Sequence, residues 1–555
     1  MPDFLRKTFS RFSRSFNIWM VYAILIVLLM ATPILTIFFN IFQGPGETMQ
    51  HLSQTVLSDY IFNSLFLMLG VGLFSLILGL SSAWLVTTCN FPGRSFFEWA
   101  LILPLAVPTY IIAFTYAGIF DYSGAFYNII SFFGLSAPRI NIMSLWGVVF
   151  IMSFVLYPYV YVIARASFSN QSRTILESSR ILGAGAYRTF FKIALPVIRP
   201  AIVGGLSLVL MEVLNDYGAV KYYGVSTFTT GIFRAWFSLG DFNAAIYLSA
   251  ILMLFVLMLI WAERAQRGKA RFDQGGVINR PFQRYNLSFF QRLLCIIVCF
   301  IPLFFGFLAP LIQLLIWSKQ TAHKIINNQF IEMVINSFTI ALTASFCCIF
   351  IAIILIYSVK LNQKVFIRSL AKISVLGYSI PGAVIAVGIM IPFLFIDRSL
   401  INLLENLTGS HFGLLLSGTT FALIFAYVVR FLAVGYNPID SGFKKVCNNL
   451  DEASRSLGVN PLKTLIKIDL PLIKSTIFSG ALLVFVDVLK ELPLTLILRP
   501  FNFNTLATKA FELAGDELVA ESANPALIII ATGILPIIFL SRLISKKENR
   551  EYSSN

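Results

Sequence analysis

Apolar residues run along this chain in blocks too long for a strand, each ended by a short cluster of basic, Gly, Pro or amide residues. A helix that crosses the hydrocarbon of a bilayer needs about 20 mostly apolar residues. Twelve blocks meet that length, centred near Leu28, Leu73, Leu105, Phe154, Leu208, Leu252, Ile301, Ile349, Ala383, Leu423, Leu482 and Ile534. A membrane β-barrel would instead read as alternating segments of about 10 residues. The pattern predicts an all-α polytopic membrane protein of about twelve transmembrane helices.

Composition agrees. Of 555 residues 57% are hydrophobic and 12% charged, with mean hydropathy +0.81. A soluble fold of this length needs far more polar surface. The net charge of +16 resembles that of a nucleic-acid binder. Its Lys and Arg residues, however, cluster beside apolar blocks, where they set topology, and no nucleic-acid partner is expected. The opening "MPDFLRKTFSRFSRSF" reads as a retained cytoplasmic anchor ahead of a span too long for a signal peptide. With that end inside, Arg264, Arg267, Lys269, Arg271, Arg280, Arg284, Lys546, Lys547 and Arg550 fall inside too. The opposite face receives "QGPGETMQHLSQTVLSDY", without Lys or Arg. Twelve helices with both termini cytoplasmic satisfy the charge rule. The six cysteines include no CxxC and read as small buried hydrophobes.

The chain also repeats itself. "ESSRILGAGAYRTFFKIALPVI" from Glu177 matches "EASRSLGVNPLKTLIKIDLPLI" from Glu452, an offset of 275. Arg180/Arg455, Gly183/Gly458, Thr189/Thr464, Lys192/Lys467, Ile193/Ile468 and Pro196/Pro471 are identical pairs. Asn63-Ser64 answers Asn336-Ser337 and Pro108 answers Pro381, at offset 273. Two homologous six-helix halves are expected at 1–262 and 291–555, joined by a cytoplasmic linker at 263–290. An even helix number gives both halves the same orientation, whereas inverted-repeat transporters need an odd one.

The repeated motif lies on the cytoplasmic face. Thr174 and Asn449 can cap a short helix with Glu177 and Glu452 at its third position, a capping box or a close variant. Gly183 and Gly458 can end that helix in a left-handed conformation. Pro196 and Pro471 suit the first turn of the next membrane helix. One copy would be a well-capped connector; two copies on the same face point to a docking element.

These segments resemble the EAA loops of binding-protein-dependent ABC importer permeases of the type I, MetI-like fold. The pattern stands here as Glu177-Ser178-Ser179…Gly183…Leu195-Pro196 and Glu452-Ala453-Ser454…Gly458…Leu470-Pro471. The resemblance implies that coupling loops near 174–196 and 449–471 dock on a separate ATP-binding subunit. It also implies two copies of that subunit, a periplasmic substrate-binding protein, and residence in the bacterial inner membrane. This chain has no GxxxxGK[S/T] phosphate loop. No cofactor is expected in it, and ATP and Mg²⁺ are expected on the partner.

Acids inside the membrane are the candidate substrate residues. "MEVLND" places Glu212 and Asp216 at i, i+4, and "VDVLKE" places Asp487 and Glu491 likewise, again 275 apart. Charges at that depth are costly and usually face a cavity or a partner. Four carboxylates on one pathway suit a hard cation such as Fe³⁺. Helix capping, or pairing with Lys221 or Lys490, is the competing reading. "NDYGAVKYYGVSTFTTGIFRAWFSLGDFNAA" and "DVLKELPLTLILRPFNFNTLAT" are similar to segments of fused ferric-iron permeases. Permeases for thiamine and other small solutes share that architecture. Arg234 and Arg499, in the outer loops, are candidate contacts for the binding protein, although long basic side chains also snorkel at interfaces. An ion-coupled secondary transporter is the alternative from another class, and it leaves the doubled cytoplasmic motif unexplained.

Overall fold

The computed structural model describes residues 18–135, 138–170, 183, 185–267, 284–362, 365–411, 413–446 and 448–553. These are almost wholly helical, as lipid requires, because a helix satisfies its backbone hydrogen bonds internally. A two-residue parallel bridge between Cys89–Asn90 and Tyr285–Asn286 is the one strand pairing among the described residues.

Nine single helices are long and apolar enough to cross a bilayer among the described residues. They are α1 (Ile18–Asn40), α2 (Leu57–Thr88), α4 (Leu145–Ser169), α5 (Tyr187–Asn215), α6 (Phe242–Gln266), α7 (Phe289–Ile325), α8 (Asn328–Asn362), α9 (Gly382–Thr408) and α10 (Thr420–Phe443). Two bent pairs supply α3 (Arg94–Ala106 with Thr109–Ile119) and α11 (Pro461–Leu472 with Lys474–Leu489), bent by 93° and 78°. The shorter apolar helix Ala523–Ile538 is α12. Each expected centre falls in one of these twelve segments.

Proline sets the breaks. Pro108 is the extended residue that starts the second arm of α3, with ψ 146°. Its repeat partner Pro381 starts α9 with ψ 139°. Pro fixes φ and has no N–H to continue a preceding helix, so one sequence pair yields one backbone break twice.

The chain forms two compact units that cut across the sequence repeats. The first comprises Met1–Gly44 and Glu332–Thr505, and therefore combines α1 with α9, α10 and α11. Inside it α1 packs on α9 and on the helix Val365–Ser374 before it. Gly388 permits the approach: a Cβ there would stand 2.6 Å from the Pro33 carbonyl oxygen. The second comprises Pro45–Ile331 and Leu506–Asn555. Inside it α12 packs on α7 and on Leu103–Ala106, with Gly533 against the Ala106 backbone. The division expected at 262 and 291 thus describes the repeat, while packing assigns each terminal helix to a unit built mainly from the other half. Small residues at these crossings are the usual means of close helix approach in lipid. Gly79 and Gly205, both against Val160, do the same where α2 and α5 meet α4.

Candidate functional site

The second coupling segment starts with the helix Asn448–Ser456. Asn449 therefore lies within the first turn and is not its cap, a correction of one residue or more to the expected capping box. Gly458 ends the helix at φ +72°. The Val459 N–H donates to the Ser454 carbonyl at 3.1 Å, the six-to-one bond of a Schellman ending. Asn460 then caps the next turn, accepting from the Leu462 N–H at 3.0 Å, with Pro461 behind it. Ser454, the small residue of Glu-Ala-Ser, is buried, and its hydroxyl meets that of Thr464 at 2.7 Å. This bond fastens the short helix to α11. Glu452 and Ala453 remain exposed, and Leu457 is 82% exposed, a large apolar side chain presented outward.

In the first segment Glu177, Ser178, Ser179 and Thr174 lie outside the described residues. Gly183 is described, is exposed, and has φ +79°, matching Gly458. Thr189, at the place of Thr464, is likewise buried. Neither Gly183 nor Gly458 has an atom within 4 Å of an added Cβ, so conformation and not space demands glycine.

Pro196 and Pro471 occupy the same local structure. Each follows one π turn, Phe190–Ala194 in the first half and Leu465–Asp469 in the second. The missing proline N–H and the bulk of its ring widen the preceding turn, so Leu195 and Leu470 donate to Phe190 and Leu465, five residues back. Helix α5 continues through its proline, whereas α11 bends at Ile473.

At the far end of these helices the acid pairs separate into two kinds. Helix α5 ends at Asn215 and Asp216 turns out of it, so the i, i+4 face is not continued. Asp216 is buried, and its Oδ1 accepts from the Ala219 and Val220 amides at 3.0 and 3.2 Å. Its Oδ2 accepts from the Thr109 hydroxyl. Glu491 has the equivalent role after α11, accepting from the Leu494 amide at 3.2 Å. Asp216 and Glu491 are therefore caps that start the short helices Gly218–Tyr222 and Pro493–Leu498. Glu212 and Asp487, one turn earlier, are half-exposed. Glu212 meets the Tyr159 hydroxyl at 3.4 Å, and Asp487 pairs with Lys490 at 2.8 Å.

Two charges that the sequence reading overlooked complete this framework. Arg430 is buried in α10, with Nε 3.3 Å from Glu491 Oε2. A lone Arg in "FALIFAYVVRFLAV" was a signal in itself, because an arginine at membrane depth needs a partner. At offset 275 the first half has Val155 in that place. At offset 273 Gly382 stands where Thr109 does, and a Cβ on Gly382 would lie 2.5 Å from Arg430 Nη1 and 2.7 Å from Glu491 Oε1. One half thus satisfies its capping acid with a threonine hydroxyl. The other uses an arginine admitted by a glycine. Asp469 in the second π turn, fully buried, pairs with Lys360 of α8 at 2.9 Å. Ala194 takes its place in the first half.

Arg234 is exposed and borders a cleft together with Tyr60. Arg499 bonds Asn504, across a turn in which Phe503 N–H donates to Pro500 C=O at 3.1 Å. Among the described residues no group of three or more His, Cys, Asp or Glu is placed to hold a metal ion.

Comparison with known proteins adds to this geometry. The family described as binding-protein-dependent transport system inner membrane component matches residues 75–268 and again 349–550. The chain is 24% identical to the Fe(3+)-transport system permease protein FbpB 2 of Haemophilus influenzae, over 91% of this chain and 93% of that one. It is 24% identical to the putative ferric transport system permease protein FbpB 1 of the same organism, over 83% and 74%. A sulfate transport system permease protein, CysT of Escherichia coli, is 30% identical over 27% of this chain and 53% of its own. The double match falls on the two sequence repeats.

Proposed function

From the premise that this chain belongs to the family of binding-protein-dependent transport system inner membrane components, we propose that it is the fused permease of an ATP-driven importer of ferric iron. The observation that carries the coupling reading is the short helix Asn448–Ser456. It is closed by a left-handed Gly458 and fastened by Ser454 to Thr464, with Glu452, Ala453 and Leu457 turned outward. Gly183 supports the same arrangement in the first half. Glu177, Ser178, Ser179, Gly183 and Pro196 form one docking contact, and Glu452, Ala453, Ser454, Gly458 and Pro471 form the other. Each receives one copy of an ATP-binding subunit, which holds ATP and Mg²⁺. Both termini and the coupling segments lie in the cytoplasm.

Motion imposed on the second coupling helix passes through the Ser454–Thr464 bond and the π turn into α11, and the matching π turn of the first half leads into α5. At the other end of these helices Glu212 and Asp487 are the carboxylates offered to the cargo, while Asp216 and Glu491 hold the helix ends that carry them. The reading of iron as cargo is supported by the two ferric permeases, similar over most of their length, and by carboxylate chemistry suited to a hard cation. A periplasmic binding protein delivers it, contacting the outer loops that contain Arg234 and Arg499.

Purification with co-expressed neighbours tests the coupling. An ATPase should accompany the wild-type chain and be lost from Gly183→Pro with Gly458→Pro; retention in that variant rules out docking at these loops. For the cargo, Glu212→Gln with Asp487→Asn should abolish uptake of radiolabelled iron while the complex still assembles. Uptake at the wild-type rate removes the carboxylates from the pathway, and uptake without any ATPase would favour an ion-coupled carrier.

A further inference from the structure

The second compact unit contains a cleft of about 380 Å³ at the end of α5 remote from the coupling segment. Its lining comes from the first turn of α2 and from residues 217–238, between the end of α5 and the start of α6. Three membrane helices begin or end around it, so it sits at a boundary of the bilayer.

A turn, a capping box and ring contacts shape the cleft. Gly224 turns the chain at φ +70°. Thr227 and Thr230 form a capping box that starts the helix Phe228–Phe233. Gly231 lets the Tyr60 ring lie against that helix, since a Cβ there would be 2.6 Å from the ring. Tyr217 and Phe233 stack at 3.6 Å to form one wall.

Its chemistry is one-sided. Lys221 and Arg234 line it, with Tyr60, Ser226 and Ser238 adding hydroxyls and no Asp or Glu among the lining residues; the Thr230 hydroxyl donates to the Thr227 carbonyl at 2.8 Å. Two cations with hydroxyl donors in a walled cleft form a receptor for a small oxyanion, since charge-assisted hydrogen bonds are the strong ones and a guanidinium fork matches oxyanion geometry. We propose that this cleft binds a small oxyanion of phosphate size through Lys221 and Arg234. The site does not depend on which cargo the carboxylates carry.

The test uses the full chain in nanodiscs of neutral phosphatidylcholine, titrated calorimetrically with inorganic phosphate up to about 10 mM against chloride at equal ionic strength. Saturable binding to the wild type, weakened about 10-fold or more by Lys221→Gln and by Arg234→Gln, supports the site. Arg234→Lys should fall between, and unchanged thermal midpoints show that the variants fold. Equal binding by wild type and variants overturns the proposal. Binding abolished by adding anionic phosphatidylglycerol would assign the cleft to a lipid headgroup. Lack of phosphate binding, with the variants raising the concentration of binding protein needed to stimulate ATP hydrolysis, would assign it to an acidic side chain of that partner. Either result overturns the free oxyanion.

Discussion

Exchanging one half's solution for the other's should be tolerated only as a set. In the second half Arg430 and Glu491 are both buried and pair at 3.3 Å, and Gly382 is what leaves room for the guanidinium. Arg430→Val installs the first-half residue but strands Glu491. Breaking a buried pair from one side costs about 3–5 kcal/mol. The low end applies here, because Glu491 retains the Leu494 amide at 3.2 Å. Gly382→Thr alone drives a Cβ to 2.5 Å from Arg430 Nη1, an overpacking worth about 1–3 kcal/mol. If the sites were independent, the double variant would lose about 4–6 kcal/mol by simple addition. Together, however, valine vacates the space that threonine needs, and the new hydroxyl can donate to Glu491 as Thr109 does to Asp216. The double variant should therefore be no less stable than Arg430→Val alone, a coupling of at least the Gly382→Thr cost, about 1–3 kcal/mol. The assay is a double-mutant cycle on unfolding in mixed detergent micelles, followed by tryptophan fluorescence. Costs that add to within about 0.5 kcal/mol would refute the reasoning.

The remaining expectations concern single contacts. Asp216→Ala removes a cap from two amides and from the Thr109 hydroxyl, so it should destabilise by about 1–2 kcal/mol in the same assay, whereas Glu212→Gln should not. Equal losses would contradict the split between capping and pathway acids. Lys360→Met leaves buried Asp469 without its cation and should cost about 3–5 kcal/mol. Adding Asp469→Ala, the first half's residue, should restore most of the thermal midpoint, and failure to restore it would place the loss elsewhere. Gly458→Ala puts a Cβ on a residue at φ +72° and should weaken ATPase association by about 1–2 kcal/mol, read as a shift in the co-purified ratio. Ser454→Val, which deletes the hydroxyl that meets Thr464, should lower the ATPase rate stimulated by the binding protein more than it lowers the thermal midpoint. The reverse ranking would make this bond a matter of stability only.

The features readable from sequence were those whose cause is local. Helix existence followed from uninterrupted apolar length, and the paired extended prolines and left-handed glycines followed from residue types with few conformations to choose among. The offset of 275 then carried those readings from one half to the other. Features that depend on distant partners were not readable in the same way. Spacing put Asp216 on one face with Glu212, yet the helix ends at Asn215 and the carboxylate turns to the amides of the next turn. Asn449 had the composition of a cap, but the helix begins at Asn448. Assignment of α1 and α12 to their compact units depends on Pro33 against Gly388 and Ala106 against Gly533. No local pattern encodes such crossings.

The internal repeat also shows which parts of this machinery tolerate change. The left-handed glycine, the π turn and the proline behind it are the same in both halves, and in the proposed function these elements position the coupling helix and transmit its movement. Around them the charges differ: Arg430 and Asp469 have Val155 and Ala194 as counterparts. Both second-half ion pairs tie α10 or α8 to the segment that leads from coupling helix to acid, whereas the first half secures its capping acid with a neutral hydroxyl. Buried pairs of this kind resist separation strongly, because neither charge can be left alone in a low-dielectric surrounding. Among the described residues two buried ion pairs therefore anchor the α11 segment where the first half has Val155 and Ala194, and the bend of α11 at Ile473 adds a second departure from α5. A permease with two identical drive elements would need two chains or two matching halves. In the proposed ATP-driven cycle, the two buried pairs beside α11 should make its stroke meet a resistance different from that of α5.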